Sequence, residues 1–167
     1  LLIQVNGDFK ASEFITLDGV TTGIVEAKKA VPVITGSVAE IKTIYATADT
    51  TTGVATGTHT IQDIGAAEIT LTDTGTVLAS DLVAIDAFTT RKIDVPSTVA
   101  RIEGTFADID ALIKSETASA TNGIKNNTIT DRSAVVDSHD SMALTITDAV
   151  TVAEANSIMT AMTKGFV

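Results

Sequence analysis

The sequence predicts an α/β solenoid: strand-helix half-units stacked in a row, with a parallel sheet inside and the helices outside. Three observations carry that expectation. A long stretch of the first half returns in the second, Ala11-Ser12-Glu13-Phe14-Ile15-Thr16-Leu17-Asp18 as Ala79-Ser80-Asp81-Leu82-Val83-Ala84-Ile85-Asp86. The match continues without a gap through Val31, Ile34, Gly36, Ala39 and Ile41, which return as Val99, Ile102, Gly104, Ala107 and Ile109. Within each copy, short alternating β-rich runs are followed by runs of helical period. The composition completes the case: aromatics are only 4% of the chain, and Ala, Val, Ile and Thr suit thin layers of small, β-branched side chains.

The duplication divides one domain, residues 1–167, into a partial unit 1–10, a unit 11–78, a unit 79–152 and a truncated unit 153–167. Taken in order, Ile24-Val25-Glu26 reads as a short extended piece, and Val31 to Thr35 as a strand that ends at Gly36, where glycine permits a tight exit. Val38 to Tyr45 reads as a helix capped by Ser37, with Glu40 three residues on, close to a capping box. Thr52 to Thr58, with Gly53 and Gly57, lacks the ending of a phosphate loop and reads as a connection. Thr60-Ile61-Gln62 is a second short extended piece, and Glu68 to Asp73 alternates as a strand. Thr74-Gly75-Thr76 reads as a turn with an N-cap for a helix from Val77 to Phe88.

The second copy continues in the same order. Ile93-Asp94-Val95 is extended, Val99 to Glu103 is a strand ending at Gly104, and Thr105 with Asp108 caps a helix from Phe106 to Ile113. Residues 115–127 are rich in Ser, Thr, Ala and Asn and read as a surface loop, placed where the second copy is longer than the first. Thr128-Ile129-Thr130 is extended. The four extended pieces are expected to form a second, smaller sheet.

Charge and residue usage exclude several functions. A formal net charge of −10, with 11 Lys and Arg spread along the chain, disfavours nucleic acid. With no cysteine there is neither a disulfide nor a thiolate metal site. No stretch approaches the run of about eighteen apolar residues that spans a bilayer, so membrane insertion is not expected.

The candidate chemistry is sparse. Asp131, Asp137 and Asp140, with Ser138 and Ser141, form the densest group of hard oxygen ligands and are the candidate calcium site. They lack the spacing of an EF-hand, so a solvated acidic loop is the competing reading. Asp73 and Asp148 recur at equivalent strand ends, and Asp18 and Asp86 inside equivalent helices, which points to capping or bonding of neighbouring backbone. His59 and His139 occupy unmatched places, and His139 beside Asp137 and Ser141 lacks a nucleophile elbow. Thr70 and Thr72 match Thr145 and Thr147, but the rank is broken elsewhere, which argues against an ice-binding face. No enzyme is expected.

The motifs in Leu71 to Leu82, Thr21 to Gly23, Ile34 to Ile41 and Ile64 to Asp73 resemble tandem repeats of very large secreted or cell-surface proteins of cyanobacteria and other aquatic bacteria. Arg91-Lys92 in place of Gly23-Ile24, and Glu103 in place of Thr35, depart from that pattern. The resemblance implies export, assembly into a surface layer, filament or adhesin stalk through contacts with adjacent repeats or further copies, and no catalysis. The alternative is a calcium-dependent adhesin or carbohydrate-binding module whose 115–140 loop engages a cell-surface glycan.

Overall fold

The computed structural model describes residues 1–49, 60–117, 123–125 and 143–164. The elements run β1 (Leu2–Val5), β2 (Phe9–Lys10), α1 (Ala11–Val20), β3 (Ile24–Ala27), β4 (Val33–Gly36), α2 (Val38–Thr47), β5 (Ala48–Asp49), β6 (Ile61–Gln62) and β7 (Glu68–Leu71). They continue as β8 (Gly75–Leu78), α3 (Ala79–Asp86), β9 (Lys92–Asp94), β10 (Val99–Gly104), α4 (Phe106–Thr117), β11 (Gly123–Lys125), β12 (Ala143–Ile146) and α5 (Val152–Lys164). The result is a mixed α/β fold with five helices and three sheets among the described residues.

The first sheet has the order β1-β3-β6-β5, the second β11-β9-β7-β4-β2 and the third β12-β10-β8. All of these pairings are parallel. Parallel neighbours require crossovers, and helices supply several of them. Each sheet carries an apolar rank in register. Val25 lies beside Ile61 in the first. Phe9, Ile34, Ile69 and Ile93 follow one another across the second, and Val77, Ile102 and Leu144 across the third. Val25, Ile34, Ile61, Ile69, Ile93 and Ile102 are all fully buried. Each such side chain contributes about 1.5–3 kcal/mol relative to exposure. The helices close this core with Phe14, Ile41, Ile44, Leu82, Ile85, Ile109 and Leu112.

The two copies do not occupy the same sheets. Val25 in the first sheet corresponds to Ile93 in the second, and Ile34 in the second corresponds to Ile102 in the third. An advance from one copy to the next therefore moves a strand one sheet over. Strand β7 sits at the change, pairing with β4 on one side and β9 on the other.

This displacement corrects the expectation of one small secondary sheet. Ile24-Val25-Glu26 and Ile61-Gln62 do share a four-stranded sheet, but Ile93 joins the five-stranded sheet that holds β4 and β7. Hydropathy marks a piece as extended without naming its neighbour. Thr128 to Thr130 lies outside the described residues.

The helix expected from Val77 begins instead at Ala79 and ends at Asp86. Val77 and Leu78 pair with Ile102 and Glu103 as strand β8, so Val77 is buried by the sheet rather than by a helical face. Leu78 is the N-cap, with no side-chain cap bond. Thr76 is no cap, and its hydroxyl accepts from Arg101 Nε at 3.3 Å. Gly75, with φ of 75°, still makes the turn into the strand.

The 115–127 region also carries more regular structure than a surface loop. Ser115 to Thr117 complete α4, and Gly123 to Lys125 pair with β9.

Candidate assembly interface

The helices contact one another in chain order, α1 to α2 and so on to α5. The α2-α3 contact joins the two copies and is chemically specific. Lys42 Nζ lies 2.5 Å from Asp81 Oδ1. The rings of Tyr45 and Phe88 stack with centroids 5.0 Å apart and planes inclined by 11°. The Tyr45 hydroxyl donates to the Ile64 carbonyl at 2.8 Å, and burial pushes this phenol well above its ordinary pKa.

Helix α1 presents the same positions without a cover. Ser12, Glu13, Thr16, Leu17 and Val20 line an open hollow of about 360 Å³, and they correspond to Ser80, Asp81, Ala84, Ile85 and Phe88. Ile85 is fully buried, whereas Val20, in the place of Phe88, is 78% exposed. Leu1, Leu2 and Val20 are the exposed large apolar residues at one end of the fold, and Val150, Val152 and Met159 those at the other. Among the described residues only Leu78, on the outer strand of the third sheet, joins that set from elsewhere.

Polar contacts join one strand-helix pair to the next. Asp73, just past β7, accepts the Val38 N–H through Oδ2 at 2.8 Å, and Asp148, just past β12, accepts the Phe106 N–H through Oδ1 at 2.7 Å. Each carboxylate thus satisfies the first amide of the preceding pair's helix, where the helix dipole favours negative charge. This is the backbone duty expected of the recurring aspartates. Asp18, by contrast, keeps Oδ1 buried without a partner among the described residues.

The helix starts are capped as the spacing suggests. Ser37 Oγ accepts the Glu40 N–H at 3.3 Å while Glu40 Oε2 accepts the Ser37 N–H at 2.8 Å. Thr105 and Asp108 repeat this exchange at 3.2 and 3.1 Å. Helix α5 adds a third box, Thr151 with Glu154, which the same pattern in the sequence could have disclosed.

The strand-ending glycines serve a different purpose from the one expected. Among the described residues only Gly7 and Gly75 are glycines with positive φ, so Gly36 and Gly104 do not make left-handed exits. A Cβ on Gly36 would lie 2.7 Å from Ala11 Cβ, and one on Gly104 would lie 3.1 Å from Ala79 Cβ. Glycine leaves room at Gly36 for the start of α1, and at Gly104 for the start of α3 and for Asp108 of α4.

A polar cluster that the sequence did not reveal crosses the first sheet. Gln4, Glu26 and Gln62 are in register on β1, β3 and β6. Gln4 Nε2 donates to Glu26 Oε2 at 3.2 Å, and Glu26 also pairs with Lys28. Asp63, at φ of 63°, turns its carboxyl to Glu26. The Lys28 ammonium holds Glu26 below the usual carboxylate range, while burial, together with the neighbouring Glu26, raises Asp63. No motif links residues so distant in the chain, so only the fold brings them together.

The candidate calcium ligands Asp131, Asp137 and Asp140 lie outside the described residues, as do Ser138, Ser141, His59, His139 and the Gly53 to Gly57 connection. Among the described residues no three acidic or histidine side chains gather to hold a metal ion, and no helix is long and apolar enough to cross a membrane. No family model, curated protein or solved structure matches the chain.

Proposed function

We propose that this chain is a structural repeat segment of an extracellular surface protein. In this reading the strand-helix pairs are half-units of an α/β solenoid, and the segment extends a surface layer, filament or adhesin stalk by stacking on neighbouring repeats. The observation that carries the reading is the contrast between α3 and α1: Asp81 and Phe88 meet Lys42 and Tyr45 of α2 in one copy, whereas Glu13 and Val20, in the same positions, are exposed in the other. Parallel sheets with open edges add to it, since strand edges and apolar ends both favour addition of like units.

Solution scattering tests the proposal. A globular chain of this length has a radius of gyration of about 15 Å. A stacked segment gives a larger value and a distance distribution with a long tail. A compact particle would refute the reading. Electron microscopy of the native material should then show fibres or a lattice.

A further inference from the structure

We infer that the open face formed by β1 and α1 is a docking site for the strand-helix pair of a preceding repeat, built like β4 and α2 and seated in one register. The inference rests on the repeat-array reading and adds the partner and its alignment.

The register follows from pairings inside the chain. Ile3 pairs with Val25, and Ile69 pairs with Ile93, the counterpart of Val25 in the second copy. Strand β1 therefore stands to β3 as β7 stands to β9, with Ile3 in the place of Ile69. Strand β7 has a second neighbour, β4, with Ile34 opposite Ile69. The matching edge of β1 is open. Leu1 and Val5 turn their carbonyls toward β3, where they accept from Ile24 and Lys28 at 2.9 Å each. Alternation then directs the main-chain groups of Leu2, Gln4 and Asn6 to the open edge. At β7 the corresponding amides of Glu68 and Thr72 donate to the carbonyls of Pro32 and Gly36 at 2.9 and 3.0 Å. A docked strand sets its Ile34 opposite Ile3, with its Pro32 carbonyl accepting from Leu2 and its Gly36 carbonyl from Asn6.

The helix face agrees independently. Glu13 stands where Asp81 meets Lys42, Leu17 where Ile85 is buried, and Val20 where Phe88 meets Tyr45. The occupant is thus a helix carrying a cation opposite Glu13 and, three residues later, a large apolar or aromatic side chain opposite Val20. Strand and helix come from one half-unit, as β4 and α2 do. The second copy's own version, β10 and α4, is already covered by β12 and α5, so another intact molecule does not offer it.

The test extends the full chain at its start with a copy of its own residues 1–66, so that Leu1 takes the place of Ala67. Amide hydrogen exchange at Leu2, Gln4 and Asn6 is expected to slow at least tenfold relative to the unextended chain. Glu13→Lys should remove that protection, and Lys42→Glu in the added copy should restore it. Val20→Cys with Tyr45→Cys in the added copy should cross-link through a short bis-maleimide, in a chain otherwise free of cysteine. Unchanged exchange, or no cross-link, overturns the docking site. Protection that appears in the unextended chain only as its concentration rises also overturns it, in favour of a second copy end to end. Scattering separates this from failure of the array reading, because an elongated extended chain with unprotected β1 amides defeats the docking register alone.

Discussion

Replacing Asp73 by Ala probes the contact that joins successive strand-helix pairs. Its carboxylate accepts the Val38 N–H at 2.8 Å in a partly buried place, and Val38 is the first residue of α2. The Ser37-Glu40 box serves other amides, so it does not substitute. Loss of a cap of this kind costs about 1–2 kcal/mol. For a chain of this size that is a fall in Tm of roughly 2–8 °C. Asp73→Asn keeps an acceptor and should lose less than half as much. The decisive experiment is a double-mutant cycle with Val38→Pro, read by urea denaturation. Proline is accepted at the first helical position, and Ser37 is already extended, with φ of −71° and ψ of 159°. Proline deletes the N–H that Asp73 serves, so in that background Asp73→Ala should cost almost nothing. An equal loss in both backgrounds would show that the carboxylate acts elsewhere and refute the reasoning.

Three further outcomes are expected. Ile102→Asp places a charge at a fully buried position of the third sheet and should abolish cooperative unfolding, whereas Ile102→Ala should cost about 2–5 kcal/mol by thermal melting; a wild-type melt for either would displace Ile102 from the core. Tyr45 is the sole tyrosine, so phenolate absorbance reports it alone, and ionisation should coincide with alkaline unfolding; reversible titration near the ordinary phenol pKa of about 10 in the folded protein would contradict its burial. Lys29 and the Val33 N–H lower the Asp8 carboxyl, and the Thr151 N–H and hydroxyl lower Glu154, so both stabilise the fold above the ordinary carboxylate range and lose that contribution as pH falls through their folded values. Asp63 has the opposite sign, stabilising most at low pH and less as pH rises from the ordinary carboxylate value toward its raised one, so Asp63→Asn should flatten the stability profile just above the ordinary carboxylate range while Asp8→Asn and Glu154→Gln flatten it below that range.

What the sequence disclosed, and what it did not, follows from the range of the interactions. Ser37 with Glu40 and Thr105 with Asp108 were legible because a cap spans a single helical turn. Strands β4, β7 and β10 were legible because their alternation is local. The start of α3 was not, since Val77 and Leu78 satisfy a helical period and a strand equally, and Ile102, distant along the chain, decides between them. Pairing across sheets was hidden for the same reason. The role of Gly36 was misread because close approach of Ala11 leaves the same signature as a turn, a small residue after a strand. The Glu26-Asp63 pair had no signature at all.

The sideways step of the second copy bears on why the α1 face stays open. If both copies had stacked in the same two sheets, β2 and β8 would belong to one sheet. Instead β8 is the outer strand of a third sheet, and β7 alone bridges the copies within the second sheet. The copies are joined by the pairing of β7 with β9, the pairing of β8 with β10 and the α2-α3 contact, in which α3 is the helix of the second copy that corresponds to α1. Val20, 78% exposed, gains nothing from solvent, whereas Leu17 is half-buried against the core. Leu17 and Val20 are apolar and Glu13 is acidic in the pattern of Ile85, Phe88 and Asp81. In the proposed docking, a helix of the α2 kind meets Glu13 and Val20 as α2 meets Asp81 and Phe88.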